Sequence, residues 1–107
     1  MNASEVMEII KCEIDDNWTL SNAHGVDLRK CLLPQPMKKT YEDSFKEGET
    51  IELWLVLEEI PEDESGYKIV FDEESQMFGL AVPGSHENDN DIFIGFYGTF
   101  LETLEAM

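Results

Sequence analysis

The first apolar pattern in the chain is helical: Val6, Ile9, Ile10 and Ile14 recur at three- and four-residue steps within residues 3 to 14. Asn2 or Ser4 stands ahead of them as an N-cap, and Glu5 and Glu8 fall near the positive end of the helix dipole. The spacing predicts a short amphipathic helix. Asp15, Asp16 and Asn17 then signal a turn, after which Trp18 and Leu20, then Val26 and Leu28, alternate with other residues on either side of the run 22–25. That pattern predicts a hairpin, with Gly25 supplying a positive φ. Pro34 and Pro36 each lack a ladder donor, so regular pairing is expected to end at 32–36, leaving 37–48 as polar irregular chain or an edge strand.

Residues 50 to 60 carry the clearest strand signal, with Ile51, Leu53, Leu55 and Leu57 on one face and Trp54 and Val56 on the other, as expected of a strand covered on both sides. Tyr67, Ile69 and Phe71 are in phase for a second strand, residues 77–82 for a third and 92–96 for a further one; the first three, joined by short links, predict an antiparallel meander. Thr99 and Glu102 have capping-box spacing ahead of Phe100, Leu101 and Leu104, which predicts a short C-terminal helix. The fold class is α+β: a mostly antiparallel sheet, hairpin plus meander, flanked by an N-terminal and a short C-terminal helix. With 107 residues, one compact domain over 1–107 is expected, because two separate cores would each be too small.

Charge changes the picture more than composition does. Seven Lys and Arg against 24 Asp and Glu give a net charge of −17. Phosphate binding draws on clustered cations, so nucleic acid and anionic membrane surfaces are poor partners, and a basic protein is the natural complement. The plainer reading is that the charge only keeps the protein soluble. Carboxylates concentrate in expected turns: Glu62, Asp63 and Glu64; Asp72, Glu73 and Glu74; and Glu87, Asp89 and Asp91. In a meander the turns at 61–66 and 83–91 share one end and that at 72–76 lies at the other, so acidic patches at both poles are the expected partner-binding surface. The alternation of Glu87, Asp89 and Asp91 fails the calcium-loop pattern, since Ile92 follows directly, and it reads as a solvated loop.

Chemistry has little to start from. His24, Cys31 and Asp27 are the nominations for a dispersed catalytic or ligand site, set against the simpler reading of His24 as a turn residue. Cys12 and Cys31 lack metal-ligand spacing and, without a secretory pattern at the start, are expected to be reduced thiols in a cytoplasmic protein. No dinucleotide, phosphate-loop, serine-hydrolase or zinc-protease motif occurs, so no cofactor and no metal is implied. Arg29, Lys30, Lys38 and Lys39 gather four of the seven cations and are expected to pair internally with acidic strands or to blunt a sheet edge. Trp54, Phe78, Phe93, Phe96 and Tyr97 read as core before they read as a ligand-stacking set.

The reading that best joins these observations is a non-enzymatic, acidic protein-binding module that neutralises a basic partner, as an immunity or inhibitor protein does. A small ligand-binding protein or hydrolase around His24 and an oligomeric scaffold are the alternatives.

Overall fold

A computed structural model describes residues 1–62, 65–84 and 90–107. The first helix, α1 (Ala3–Ile14), begins where Asn2 accepts from the Glu5 amide at 3.0 Å while the Glu5 carboxylate accepts from the Asn2 amide at 3.1 Å. This reciprocal cap satisfies two donors that an open helix end would leave bare. Val6, Ile10 and Ile14 form the buried stripe, and Asp15 ends the helix in the left-handed region at φ 49°.

The segment that follows departs from the sequence pattern. Residues 15–27 form no strand, so the expected hairpin of 18–28 is absent, and its last residue instead opens the one-turn helix α2 (Leu28–Cys31), capped by Asp27. The alternation was matched by a different packing solution: Val26 and Leu28 are both buried beneath α1, and the Asn22 side chain fastens the loop by donating to Leu104 O at 2.9 Å and accepting from the Val26 amide at 3.3 Å. A side-chain amide that gathers the loop's backbone groups competes with a strand ladder.

Five strands form the sheet: β1 (Leu32–Asp43), β2 (Thr50–Glu58), β3 (Lys68–Asp72), β4 (Met77–Val82) and β5 (Ile92–Gly98). Each pairs antiparallel with the next, β2, β3 and β4 being the predicted meander, and β1 closes a barrel by a short parallel contact, Glu42 with Ile92 and Asp43 with Phe93. The first strand therefore begins at Leu32, where regular pairing was expected to end, and not in the hairpin expected before it. The prolines keep part of their predicted effect, because β1 and β2 pair at Leu32–Leu57 and resume only at Met37–Leu55. A last helix, α3 (Phe100–Ala106), carries the predicted capping box of Thr99 and Glu102.

Two apolar layers result. One sheet face, with Trp54, Val56, Ile69, Phe71, Phe78 and Leu80, packs under α1 and α3. The barrel interior holds Tyr41, Leu53, Leu55, Val70, Ala81 and Phe93. Leu57 belongs to the helix-side layer rather than with Leu53 and Leu55, because a bulge between Leu55 and Leu57 shifts the two-residue alternation by one. Gly79 marks the closest approach of β4 and β5: a Cβ there would stand 2.3 Å from Gly95 O. Among the described residues no helix is long and apolar enough to cross a membrane.

Candidate functional site

The acidic turns nominated from sequence are partly committed to internal contacts. At the β3–β4 turn, the Glu73 carboxylate receives Lys38 Nζ and, at 3.4 Å, Trp54 Nε1, with the Met1 amino group 3.5 Å away. The Lys38 hydrogen bond holds the Glu73 carboxyl below its ordinary range. Asp72 closes the same turn by accepting from the Glu74 and Ser75 amides, both at 3.3 Å, which leaves the exposed Glu74 facing water. Asp91, at the other pole, accepts from Lys68 Nζ at 2.6 Å, and Lys68 is only 3% exposed. Glu62 is exposed. Asp63, Glu64, Glu87 and Asp89 lie outside the described residues.

Of the nominated site, His24 and Cys31 gather around Glu59, which was not nominated with them. His24 Nδ1 lies 2.7 Å from Glu59 Oε2, Glu59 Oε1 accepts from the Tyr67 amide at 3.0 Å, and the Tyr67 ring packs 5.8 Å from the imidazole. Cys31 Sγ donates to the Glu59 carbonyl at 3.6 Å. Burial pushes the Cys31 thiol up, with the Asp27 and Glu62 charges adding to it, so the thiol stays protonated and weakly nucleophilic. Asp27 is spent capping α2. The arrangement is a clasp that ties the loop 17–27 to the β2–β3 connection.

Two surfaces escaped the sequence reading. The first is the β1–β2 turn, where Glu42, Asp43, Glu47 and Glu49 line a cavity of about 590 Å³ that reaches Ile92 at the start of β5. Phe45 rises from this turn 71% exposed, with an edge contact to Phe93 at 6.5 Å between ring centres and its ring tip over Gly95. Asp43 fixes the turn by accepting from the Phe45 amide at 2.9 Å, and Lys46 lies 4.0 Å from Glu49. The local signal was one aromatic residue set among four carboxylates in 42–49, obscured by acidity along the whole chain.

The second is a cavity of about 500 Å³ bounded by α1, the loop before α2 and the proline-bearing start of β1. Trp18, Leu28, Leu33 and Pro34 make its walls, and Lys11, Arg29 and Lys30 stand around it. A smaller recess of about 200 Å³ shares Met7, Lys11 and Pro34 with it and includes Glu8. The gap follows from the chain: four residues of β1, Leu33 to Pro36, run without ladder partners on β2. The expected internal pairing of the basic cluster holds for Lys38. Lys11, Arg29 and Lys30 form no ion pair among the described residues. No family model, no curated protein and no solved structure matches the chain, so its function is read from this geometry.

Proposed function

We propose that the chain is a non-enzymatic, acidic protein-binding module that docks a basic partner, in the way an immunity or inhibitor protein occupies a cationic surface. The observation that carries the proposal is Phe45, largely exposed at the tip of a turn whose cavity is lined by Glu42, Asp43, Glu47 and Glu49. An aromatic side chain in water is a poor arrangement for stability alone and a good one for an interface, where a few such anchors carry most of the binding energy. The carboxylates around it would steer a cationic partner, and the overall −17 would extend that attraction before contact. The complementary surface is an apolar recess ringed by Arg or Lys.

The test compares immobilised wild type, Phe45→Ala and the triple change Glu42→Gln, Glu47→Gln and Glu49→Gln against native lysate and against a panel of Lys- and Arg-rich peptides. The proposal expects a basic protein whose retention falls about tenfold or more with Phe45→Ala, a loss typical of a buried aromatic anchor. It also expects an association rate that drops with salt and with the triple change. Retention that neither variant alters would sink it.

A further inference from the structure

The cavity beside α1 and α2 has the wrong charge for the docking function, and it shares no residue with the Phe45 turn. In a chain with seven cations and 24 acids, three of the cations, Lys11, Arg29 and Lys30, stand at one cavity. They come from elements separated in sequence and brought together by the fold. None is consumed by an ion pair among the described residues, whereas Lys38, Lys46 and Lys68 each have a carboxylate partner. A protein so rich in acids could have neutralised these cations cheaply. Beneath them the walls are apolar, with Trp18 and Leu33 half-buried over the buried Leu28.

We infer that this cavity binds a small amphipathic anion: a free carboxylic acid with an unbranched apolar tail of medium length. The apolar floor would take the tail, the Arg29 guanidinium offers the fork that matches a carboxylate, and Lys11 and Lys30 add point charge. The volume of about 500 Å³ falls within the range of small-molecule sites. Commitment to an anion rests on charge complementarity at the rim against the field of the whole chain. Adsorption governed by net charge on a −17 protein would favour a cationic amphiphile, so preference for the anion can come only from a local site. Glu8, in the adjoining recess, sets the direction: its charge repels a carboxylate, so the headgroup would sit towards Arg29 and Lys30.

The two tryptophans supply the readout. Trp18 lines the cavity, while Trp54 lies on the sheet with its indole N–H aimed at Glu73. We would titrate the protein with sodium decanoate below its micelle concentration and follow both indole signals by ¹H–¹⁵N correlation spectra, with decyltrimethylammonium and decanol as controls. The Trp18 signal and the Leu28 and Leu33 amides should move while the Trp54 signal holds. Decanoate should bind about tenfold tighter than decyltrimethylammonium. The double change Arg29→Gln and Lys30→Gln, at two exposed positions, should abolish that preference without altering the rest of the spectrum. Phe45→Ala should leave decanoate binding unchanged, which separates this inference from the docking reading. A stationary Trp18 signal, equal or tighter binding of the cation, or a preference that survives the double change would each overturn it. So would an acidic apolar peptide that moves the Trp18 signal where decanoate does not.

Discussion

The two faces of the sheet are packed by different rules. On the helix side, Phe78 meets Phe71 at 4.6 Å and Phe100 at 5.7 Å between ring centres, and the polar groups nearby are satisfied: the buried Thr103 hydroxyl donates to Thr99 O at 2.8 Å. Inside the barrel, the phenol of Tyr41 is 1% exposed, and its hydroxyl has no hydrogen-bond partner among the described residues. The Lys68 ammonium is buried on the same face of β3 as Val70 and pairs with Asp91. The first layer is an apolar clamp. The second carries a buried charge pair and an unsatisfied hydroxyl, which cost energy unless compensated. Stability should therefore respond to size on one side and to charge and polarity on the other.

The largest effect is expected from Phe78→Ala, which removes the ring joining β3, β4 and α3. Truncation of a fully buried Phe costs about 3–5 kcal/mol, read as a lower urea midpoint at unchanged slope. A loss below about 1.5 kcal/mol would mean that the helices are not clamped through this contact, and the contrast between the faces would fail. Next in size is Asp91→Ala, which takes a carboxylate partner from a buried ammonium. Breaking a buried pair costs about 3–5 kcal/mol, and the partial exposure of Asp91 lowers the expectation to about 2–3 kcal/mol. Adding Lys68→Met should then recover part of the loss, because the buried ammonium that lost this carboxylate goes with it. Equal damage in the single and double variants would assign the effect to lost packing instead.

What could be read in the sequence follows the same division between local and distant causes. The α1 cap at Asn2 and Glu5, the box at Thr99 and Glu102, and the strands around Leu53 and Leu80 are written in spacings of a few residues, and all are present. The alternation of Trp18, Leu20, Val26 and Leu28 was ambiguous, because the contacts that decide it run from Asn22 to Leu104 and from His24 to Glu59. Tyr41 and the start of β1 were hidden by Pro34, Pro36 and a polar surface, because only Leu32, Pro36 and Tyr41 are buried in that strand and their spacing does not alternate. The site candidates suffered most. Twenty-four acids made any acidic cluster look ordinary, and only folding brings Lys11 beside Arg29 and Lys30.

A third prediction examines a polar device on the helix side that no local pattern announces. The Glu13 carboxylate of α1 accepts from the Phe100 amide at 3.0 Å and the Leu101 amide at 3.1 Å, capping α3 from another element. Charge-assisted capping of this kind is worth about 1–2 kcal/mol, so Glu13→Ala should lower the melting temperature by a few degrees and raise hydrogen exchange first in α3. Uniform faster exchange throughout the chain would show that α3 does not open separately, and that the helix-side layer is one cooperative block.

The smallest change at neutral pH, and the most telling for the interior, is Tyr41→Phe. Removing a buried hydroxyl that lacks a partner should leave stability unchanged or raise it by up to about 1 kcal/mol. Its sign should be clearer in alkali. Burial first, then the Asp91 and Glu58 charges, push the Tyr41 phenol above its ordinary value. The folded protein thus holds this proton more tightly than the unfolded chain does. The resulting contribution to stability is complete below about pH 10 and is lost as the pH rises towards the raised folded value. Wild type should accordingly weaken between neutral pH and pH ~11 by more than Tyr41→Phe does, as followed by urea midpoints at each pH. A variant less stable than wild type by over about 1 kcal/mol at pH 7 would reveal that the hydroxyl is bonded within the fold. The interior would then be as fully satisfied as the helix side, and the asymmetry between the two layers would reduce to the Lys68–Asp91 pair alone.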